Sequence, residues 1–212
     1  MTTQTSFSTR DAAFVRDFHI MSEFGATENG GVERQAASVP DGQQRQWLTG
    51  LLEANGFTVR FDRAGNQWGL YEAVPGAPFV VVGSHMDSQP TAGRYDGAYG
   101  VLAATHAAFR LVEQWAAAGA AGQPRFNIAV VNWFNEEGSR FKPSMMGSSV
   151  YTGKLELETA LATTDAAGVR SARPWTRSAA GAATRAPKPR TAPKSTLNRA
   201  GAWNAKASPS AW

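Results

Sequence analysis

Along the first half of the chain, apolar residues first recur at the spacing of an α-helix and then occur in short β-rich runs, which predicts two helices followed by two strands. Helical spacing predicts amphipathic helices over residues 11–24 and 43–55, each followed by a glycine suited to end a helix. Two β-rich runs, 57–62 and 67–72, flank an Arg-Ala-Gly-Asn turn and predict a hairpin. Residues 25–42 lack periodicity and predict a loop that could lie over a functional site.

The second half of the pattern predicts two buried strands around one long helix. Continuous apolar runs at 79–82 and 127–134 are typical of buried strands, and the Ala/Leu-rich run 98–118 predicts the helix. A loop over 140–147 and short helical pieces over 148–162 follow. The order helix, helix, hairpin, strand, helix, strand predicts an α/β fold with a mixed sheet flanked by helices.

Charge divides the chain into two unlike segments. Residues 1–169 hold all 17 acidic residues and 12 of the 21 Lys and Arg, a net charge of −5, whereas residues 170–212 hold nine basic residues and no acidic one. We therefore predict one folded domain over 1–169 and a disordered basic tail over 170–212, whose composition cannot bury enough surface to offset chain entropy. Ala, Arg and Pro, which dominate this tail, have GC-rich codons and are the residues that a GC-rich gene yields when it is translated in a wrong frame. A frameshift near residue 170 is therefore favoured over a natural basic tail.

Composition also narrows the class of protein. The chain has no cysteine, which excludes disulfides and thiolate metal sites and favours a reducing compartment. The polar start and the lack of a long apolar run predict a cytoplasmic protein with neither a secretory signal nor a membrane partner. A mildly acidic body suits a metal-dependent enzyme better than a specific nucleic-acid binder, although the basic tail could attract nucleic acid unspecifically.

Candidate metal ligands follow both predicted buried strands. His85, Asp87 and Asp96 lie among glycines after the first strand, and Glu136 and Glu137 follow the second. Ligands at strand ends are well placed because an α/β sheet opens its binding crevice there. The adjacent glutamates suit a division between a metal ligand and a general base. The alternatives are a polar loop in which Asp87 caps a turn, and a solvated helix N-terminus for the glutamates.

Other polar residues favour ordinary structural roles. His19 and His106 lie within predicted helices among apolar residues, which favours packed or surface histidines over metal ligands. Arg140 and Lys142 could bind an anion, but basic surface positions are the favoured interpretation.

The candidate ligands lie in three motifs that together resemble a known family. The stretches are GSHMDS at residues 83–88, GRYDGAYGV at 93–101 and NEEGSRF at 135–141. With their separation, they resemble the amidase/carbamoylase branch of the M20 metallopeptidase superfamily, which includes N-carbamoyl-L-amino acid hydrolases, β-ureidopropionases and allantoate amidohydrolases. The resemblance spans about residues 10–169 and implies a zinc-exopeptidase-like catalytic domain.

The resemblance also implies roles for the candidate residues. His85 would bind one metal ion, Asp96 would bridge two, and Glu137 would bind the other. Glu136 would be the general base, and Asp87 would orient His85. The implied cofactors are two divalent cations (zinc, manganese or cobalt), and the implied partner is a small carbamoyl or ureido substrate whose C–N bond is hydrolysed.

Members of this family are about twice as long as this chain. They carry two further metal-binding histidines and a dimerisation domain that closes over the substrate, whereas no histidine follows His106 here. We therefore expect a partial catalytic domain, weak metal binding and no turnover from this chain. The resemblance also implies that intact relatives are homodimers. An aminoacylase or peptidase of the same superfamily and a non-catalytic fragment are the alternatives.

Overall fold

A computed structural model describes residues 8–171 of the chain. The predicted tail over 170–212 therefore lies outside the described residues, apart from Arg170 and Ser171. Ser171 is buried and its hydroxyl donates to the carbonyl of Ala160 at 2.7 Å, so the described fold continues two residues past the predicted boundary.

Within residues 8–171, five α-helices lie at or near the positions that the sequence predicts. Their bounds are α1 (Thr9–Glu23), α2 (Val39–Ala54), α3 (Ala98–Ala118), α4 (Met146–Tyr151) and α5 (Leu157–Ala162). The helix predicted over 43–55 begins four residues earlier than expected, because Ser38 caps its N-terminus and Pro40 is accommodated in its first turn. The predicted bounds of α3 are confirmed, and a short 3₁₀ turn (Gly119–Gly122) follows it.

In the described part of the chain, four strands form one mixed sheet, as predicted. They are β1 (Thr58–Phe61), β2 (Gln67–Tyr71), β3 (Phe79–His85) and β4 (Asn127–Trp133), in the order β1-β2-β4-β3. The hairpin β1–β2 is antiparallel, β2 pairs antiparallel with β4, and β3 pairs parallel with β4. Strand β3 is three residues longer than predicted, because Gly83, Ser84 and His85 pair with β4 even though they are not apolar.

Helices cover both faces of this sheet. Along β4, Ile128 and Val130 join the core formed with α1, α2 and α3, whereas Ala129 and Val131 face Trp68 on the opposite side. This alternation is the two-residue period of a strand buried on both faces. Tyr151 of α4 packs on that second side, so the α/β architecture with flanking helices is confirmed.

The parallel pair decides where the site forms. Helix α3 connects β3 to β4, so both strands run in the same direction and end at the same edge of the sheet. At that edge His85 lies opposite Trp133 in the register. Among residues 8–171 no helix is both long enough and apolar enough to cross a membrane.

Candidate metal centre

Two loops meet at this edge of the sheet. The first loop (residues 86–92) follows His85, and the second loop (residues 134–139) follows β4 and carries Glu136 and Glu137. The second loop turns sharply at Asn135, which has a φ of 48°, in the left-handed region that Asn tolerates better than most residues. The Asn135 amide donates to the carbonyls of Phe141 at 2.9 Å and Pro143 at 3.1 Å, which holds this turn in place.

His85 is held in one orientation by its neighbours. The residue is 6% exposed, and its Nδ1 lies 3.0 Å from the carbonyl oxygen of Asp87. A proton on Nδ1 that donates to this oxygen leaves Nε2 free to bind a cation. Nε2 lies 3.3 Å from the Glu136 carboxylate and 3.9 Å from that of Asp96.

Gly97 forms one wall of the histidine site. It has a φ of 60°, and a Cβ atom added there would fall on the His85 ring. A glycine at this position is therefore required by the close approach of the imidazole to the backbone as well as by the backbone conformation.

Asp87 joins the two loops. Its buried carboxylate accepts the backbone N–H of Glu136 at 3.1 Å and that of Glu137 at 3.3 Å. One of its carboxylate oxygens also lies 3.6 Å from Nδ1 of His85. Asp87 therefore contacts His85 through both its carbonyl and its carboxylate. Its carboxylate also fixes the backbone of Glu136 and Glu137, and this second contact was not predicted from the sequence.

The electrostatics of the site favour a bound cation. Burial by itself lowers the pKa of His85, but the hydrogen bond and charge of Asp87 and the charge of Glu136 outweigh it and raise the pKa to about 9. The pKa of Glu136 is raised, chiefly by burial and further by the neighbouring carboxylates, against the opposing effect of His85. Several carboxylates around one imidazole form a site of excess negative charge.

The donor set fits a divalent transition metal. One ligand atom each from His85, Glu136 and Glu137 lies within 4.8 Å of the others. Imidazole nitrogen and carboxylate oxygen are donors that zinc and manganese accept. Asp96 lies outside this group of three and its side chain is 73% exposed, so the structure brings Glu136 closer to the histidine than the predicted ligand Asp96.

Arg34 is a supporting residue that the sequence did not predict. It is 1% exposed, and its side chain donates to the carbonyls of Met86 at 3.1 Å, Met21 at 2.9 Å and Phe24 at 3.2 Å. Burial lowers the pKa of its guanidinium to about 10, against the raising effect of nearby carboxylates, so it stays charged at neutral pH. It lies in the predicted loop 25–42, and that loop packs beside the first loop.

The residues for which structural roles were favoured do have them. His19 is exposed on α1, and His106 is buried between α1 and α3, where Nε2 lies 3.0 Å from the Asp17 carboxylate. Lys142 is exposed, as expected. Arg140 is instead partly buried: its side chain is 22% exposed, pairs with Asp165 at 2.9 Å and donates to the carbonyl of Ala36 at 3.1 Å. The interpretations of His19, His106 and Lys142 are confirmed, whereas Arg140 has a structural role in a partly buried ion pair rather than at an open surface position.

Comparison with known proteins shows homologues that are amidohydrolases. The chain is 57% identical over 160 residues to a protein of Mycolicibacterium smegmatis whose name calls it a hydrolase, a match that covers 76% of this chain and 36% of that protein. It is 34% identical over 149 residues to an N-carbamoyl-L-amino-acid amidohydrolase of Rhizobium meliloti, covering 70% and 34%. Allantoate amidohydrolases are also among its relatives.

Solved structures show the same relationship. A hydantoinase/carbamoylase family amidase from Burkholderia ambifaria superposes with a TM-score of 0.67 at 39% identity, over 76% of this chain and 38% of that one. The chain thus spans about a third of the length of the curated relatives that it matches. No protein-family model matches it.

Proposed function

Because the chain belongs, over about three quarters of its length, to the hydantoinase/carbamoylase family of amidases, we propose that it serves in metal-dependent hydrolysis of carbamoyl or ureido C–N bonds. The observation that carries this proposal is the meeting of His85 with Glu136 and Glu137 across two parallel strand ends. The substrate would be a small molecule such as an N-carbamoyl-L-amino acid or allantoate. A cytoplasmic location and a homodimer stay predictions.

We assign the metal-binding roles to residues of both loops. His85 would bind one divalent cation through Nε2, Glu137 would bind a second, and Asp96 would lie between them. Zinc, manganese and cobalt all suit this donor set. When bound, a divalent cation supplies Lewis-acid chemistry: it polarises the substrate carbonyl and lowers the pKa of water.

Glu136 is the residue to which we assign proton transfer. Its carboxylate faces His85, and its raised pKa brings it closer to the operating pH than an exposed glutamate, which favours a general base. It would take a proton from the attacking water and pass it to the leaving nitrogen as the C–N bond breaks. Overall, water converts an N-carbamoyl amine into the free amine, carbon dioxide and ammonia.

Asp87 supports both halves of this arrangement. Its carbonyl holds Nδ1 of His85, and its carboxylate holds the backbone N–H groups of Glu136 and Glu137. A single buried residue thereby sets the distance between the imidazole and the proposed base. Partners of this kind fix the orientation and basicity of metal ligands.

A chimaera tests the proposal directly, because the chain spans about a third of its relatives' length. The part of this chain that aligns with the Rhizobium meliloti N-carbamoyl-L-amino-acid amidohydrolase would replace the corresponding segment of that enzyme. We expect zinc- or manganese-dependent release of ammonia from an N-carbamoyl-L-amino acid. In the same chimaera, Glu136→Gln should lower turnover by at least about 100-fold while metal binding persists.

Glu156→Gln is the matched control, since Glu156 immediately precedes α5 and has no role in the proposed site. It should leave turnover unchanged. A folded, metal-loaded chimaera whose turnover is unaffected by Glu136→Gln would contradict the role that we assign to Glu136.

A further inference from the structure

Four side-chain hydrogen bonds among the described residues join the two loops of the site. The Asp87 carboxylate accepts two backbone N–H groups of the second loop, and the Ser139 hydroxyl donates to the carbonyl of Ser88 at 3.3 Å. These three hydrogen bonds each involve a main-chain atom of the facing loop. The fourth differs, because the Gln89 side-chain amide donates to a carboxylate oxygen of Glu137 at 2.9 Å. It therefore acts directly on a side chain that we assign to the metal.

The backbone of Gln89 is itself firmly placed. The hydroxyl of the buried Ser88 donates to the Gln89 carbonyl at 2.9 Å and accepts the N–H of Arg34 at the same distance. The Ser88 N–H in turn donates to the Arg34 carbonyl at 3.2 Å. Because Pro90 follows, residue 89 is restricted to extended conformations. The exposed amide of Gln89 thus extends from an anchored segment.

The chemistry of an amide suits this position. Glu137 has three rotatable side-chain bonds, and a carboxylate that is not held must lose this freedom when it binds a cation. The Gln89 N–H group can hold the carboxylate but cannot ligate a cation, since its nitrogen donates rather than accepts. A neutral donor also adds no charge that would oppose the metal. The Gln89 amide contacts Glu137, whereas the carboxylate of Glu136 faces His85.

We propose that Gln89 is a positioning residue that presets the Glu137 carboxylate for metal binding. This inference rests on the proposed function, in which Glu137 is a metal ligand. Residues behind metal ligands typically change affinity by 10- to 100-fold when they are replaced. Gln89 is exposed to solvent, where water competes for its hydrogen bonds, so we expect a loss of about tenfold.

The first test replaces Gln89 with methionine, which keeps the length of the side chain but has no donor. The affinity of the 212-residue chain for Zn²⁺ is measured by competition with a chromogenic chelator, alongside Gln46→Met on the exposed face of α2 as the control. We expect about tenfold weaker binding for Gln89→Met only. A merely structural role would lower the thermal midpoint instead, and we expect that midpoint to shift by less than about 2 °C.

The outcomes separate this inference from the proposed function. Wild-type zinc affinity retained in a folded Gln89→Met variant would overturn the inference alone. Failure of the wild-type chain to bind zinc would overturn the proposed role of Glu137, and the inference with it.

A second test uses the metal-free protein. The side-chain amide resonances of Gln89 are followed by NMR, and Glu137→Ala should shift them because it removes their acceptor. Glu53→Ala on α2 should leave them in place. Gln89 amide resonances that are insensitive to Glu137→Ala would show that the two side chains do not contact each other, and would overturn the inference whatever the zinc affinity.

Discussion

Substitution of Gly97 by alanine tests the geometry of the candidate metal centre at its tightest point. The added Cβ would fall on the His85 ring, well inside the 3.0 Å that real Cβ contacts keep. The ring must therefore move or the backbone of residue 97 must shift. With a φ of 60° and a ψ of −54°, residue 97 also adopts a conformation that side chains other than glycine rarely adopt.

Two effects set the magnitude. Backbone strain of this type destabilises a protein by about 1–3 kcal/mol. Displacement of the ring also removes the proposed imidazole ligand. Replacing a residue behind a metal ligand already weakens binding 10- to 100-fold, so we expect zinc affinity to fall by more than about 100-fold. The folded protein should survive the first effect, because single-domain proteins have about 5–15 kcal/mol of stability.

The assay combines urea unfolding with zinc competition for Gly97→Ala and a matched control. Gly93→Ala is that control: it lies in the same glycine-rich stretch, and no heavy atom lies within 4 Å of its added Cβ. We expect Gly93→Ala to bind zinc like the wild type. If Gly97→Ala also does so and unfolds at the same urea concentration, the close approach of His85 to this backbone is wrong.

The remaining predictions concern the supporting residues. In metal-free protein the pKa of His85 should be about 9, and Asp87→Asn should lower it, as followed by NMR titration. Because this pKa lies above the unfolded value of about 6.5, protonated His85 contributes up to about 3 kcal/mol to the free energy of unfolding. This contribution is fully present below pH 6.5 and is lost as the pH rises through 9. A free energy of unfolding that does not change over this pH range would contradict the prediction. Arg34→Met should destabilise the fold by about 3 kcal/mol or more in urea unfolding, since two buried carbonyls and one partly buried carbonyl lose a charged donor. The exposed Arg125→Met should change stability by less than about 0.5 kcal/mol.

The fold was largely predictable from local sequence signals. Helix α3 lies within its predicted bounds because its long Ala/Leu-rich run begins just after Gly97 and ends at Gly119. The start of α2 was missed because its first turn has no apolar period and is fixed instead by the Ser38 cap. Strand β3 was predicted too short, since its last three residues are strand by pairing with β4 rather than by their own composition.

The site was predictable in outline but not in its contacts. That the candidate ligands would lie near one another after both buried strands followed from the topology of α/β sheets. That Glu136 lies closer to His85 than Asp96 does could not be predicted, because it depends on the register of β3 against β4 and on the left-handed turn at Asn135. Arg34 was missed because its partners lie on other elements and no local pattern indicates them.

The candidate metal centre at His85 can be checked by zinc binding to the 212-residue chain. Isothermal titration would be run on the wild type, His85→Ala and His19→Ala, the last of these altering an exposed histidine on α1. We predict zinc binding in the wild type, weaker than in a full family enzyme because few donors are present, retained in His19→Ala and lost in His85→Ala. Zinc binding that His85→Ala leaves unchanged, or no zinc binding by the folded wild type, would contradict a metal centre at His85.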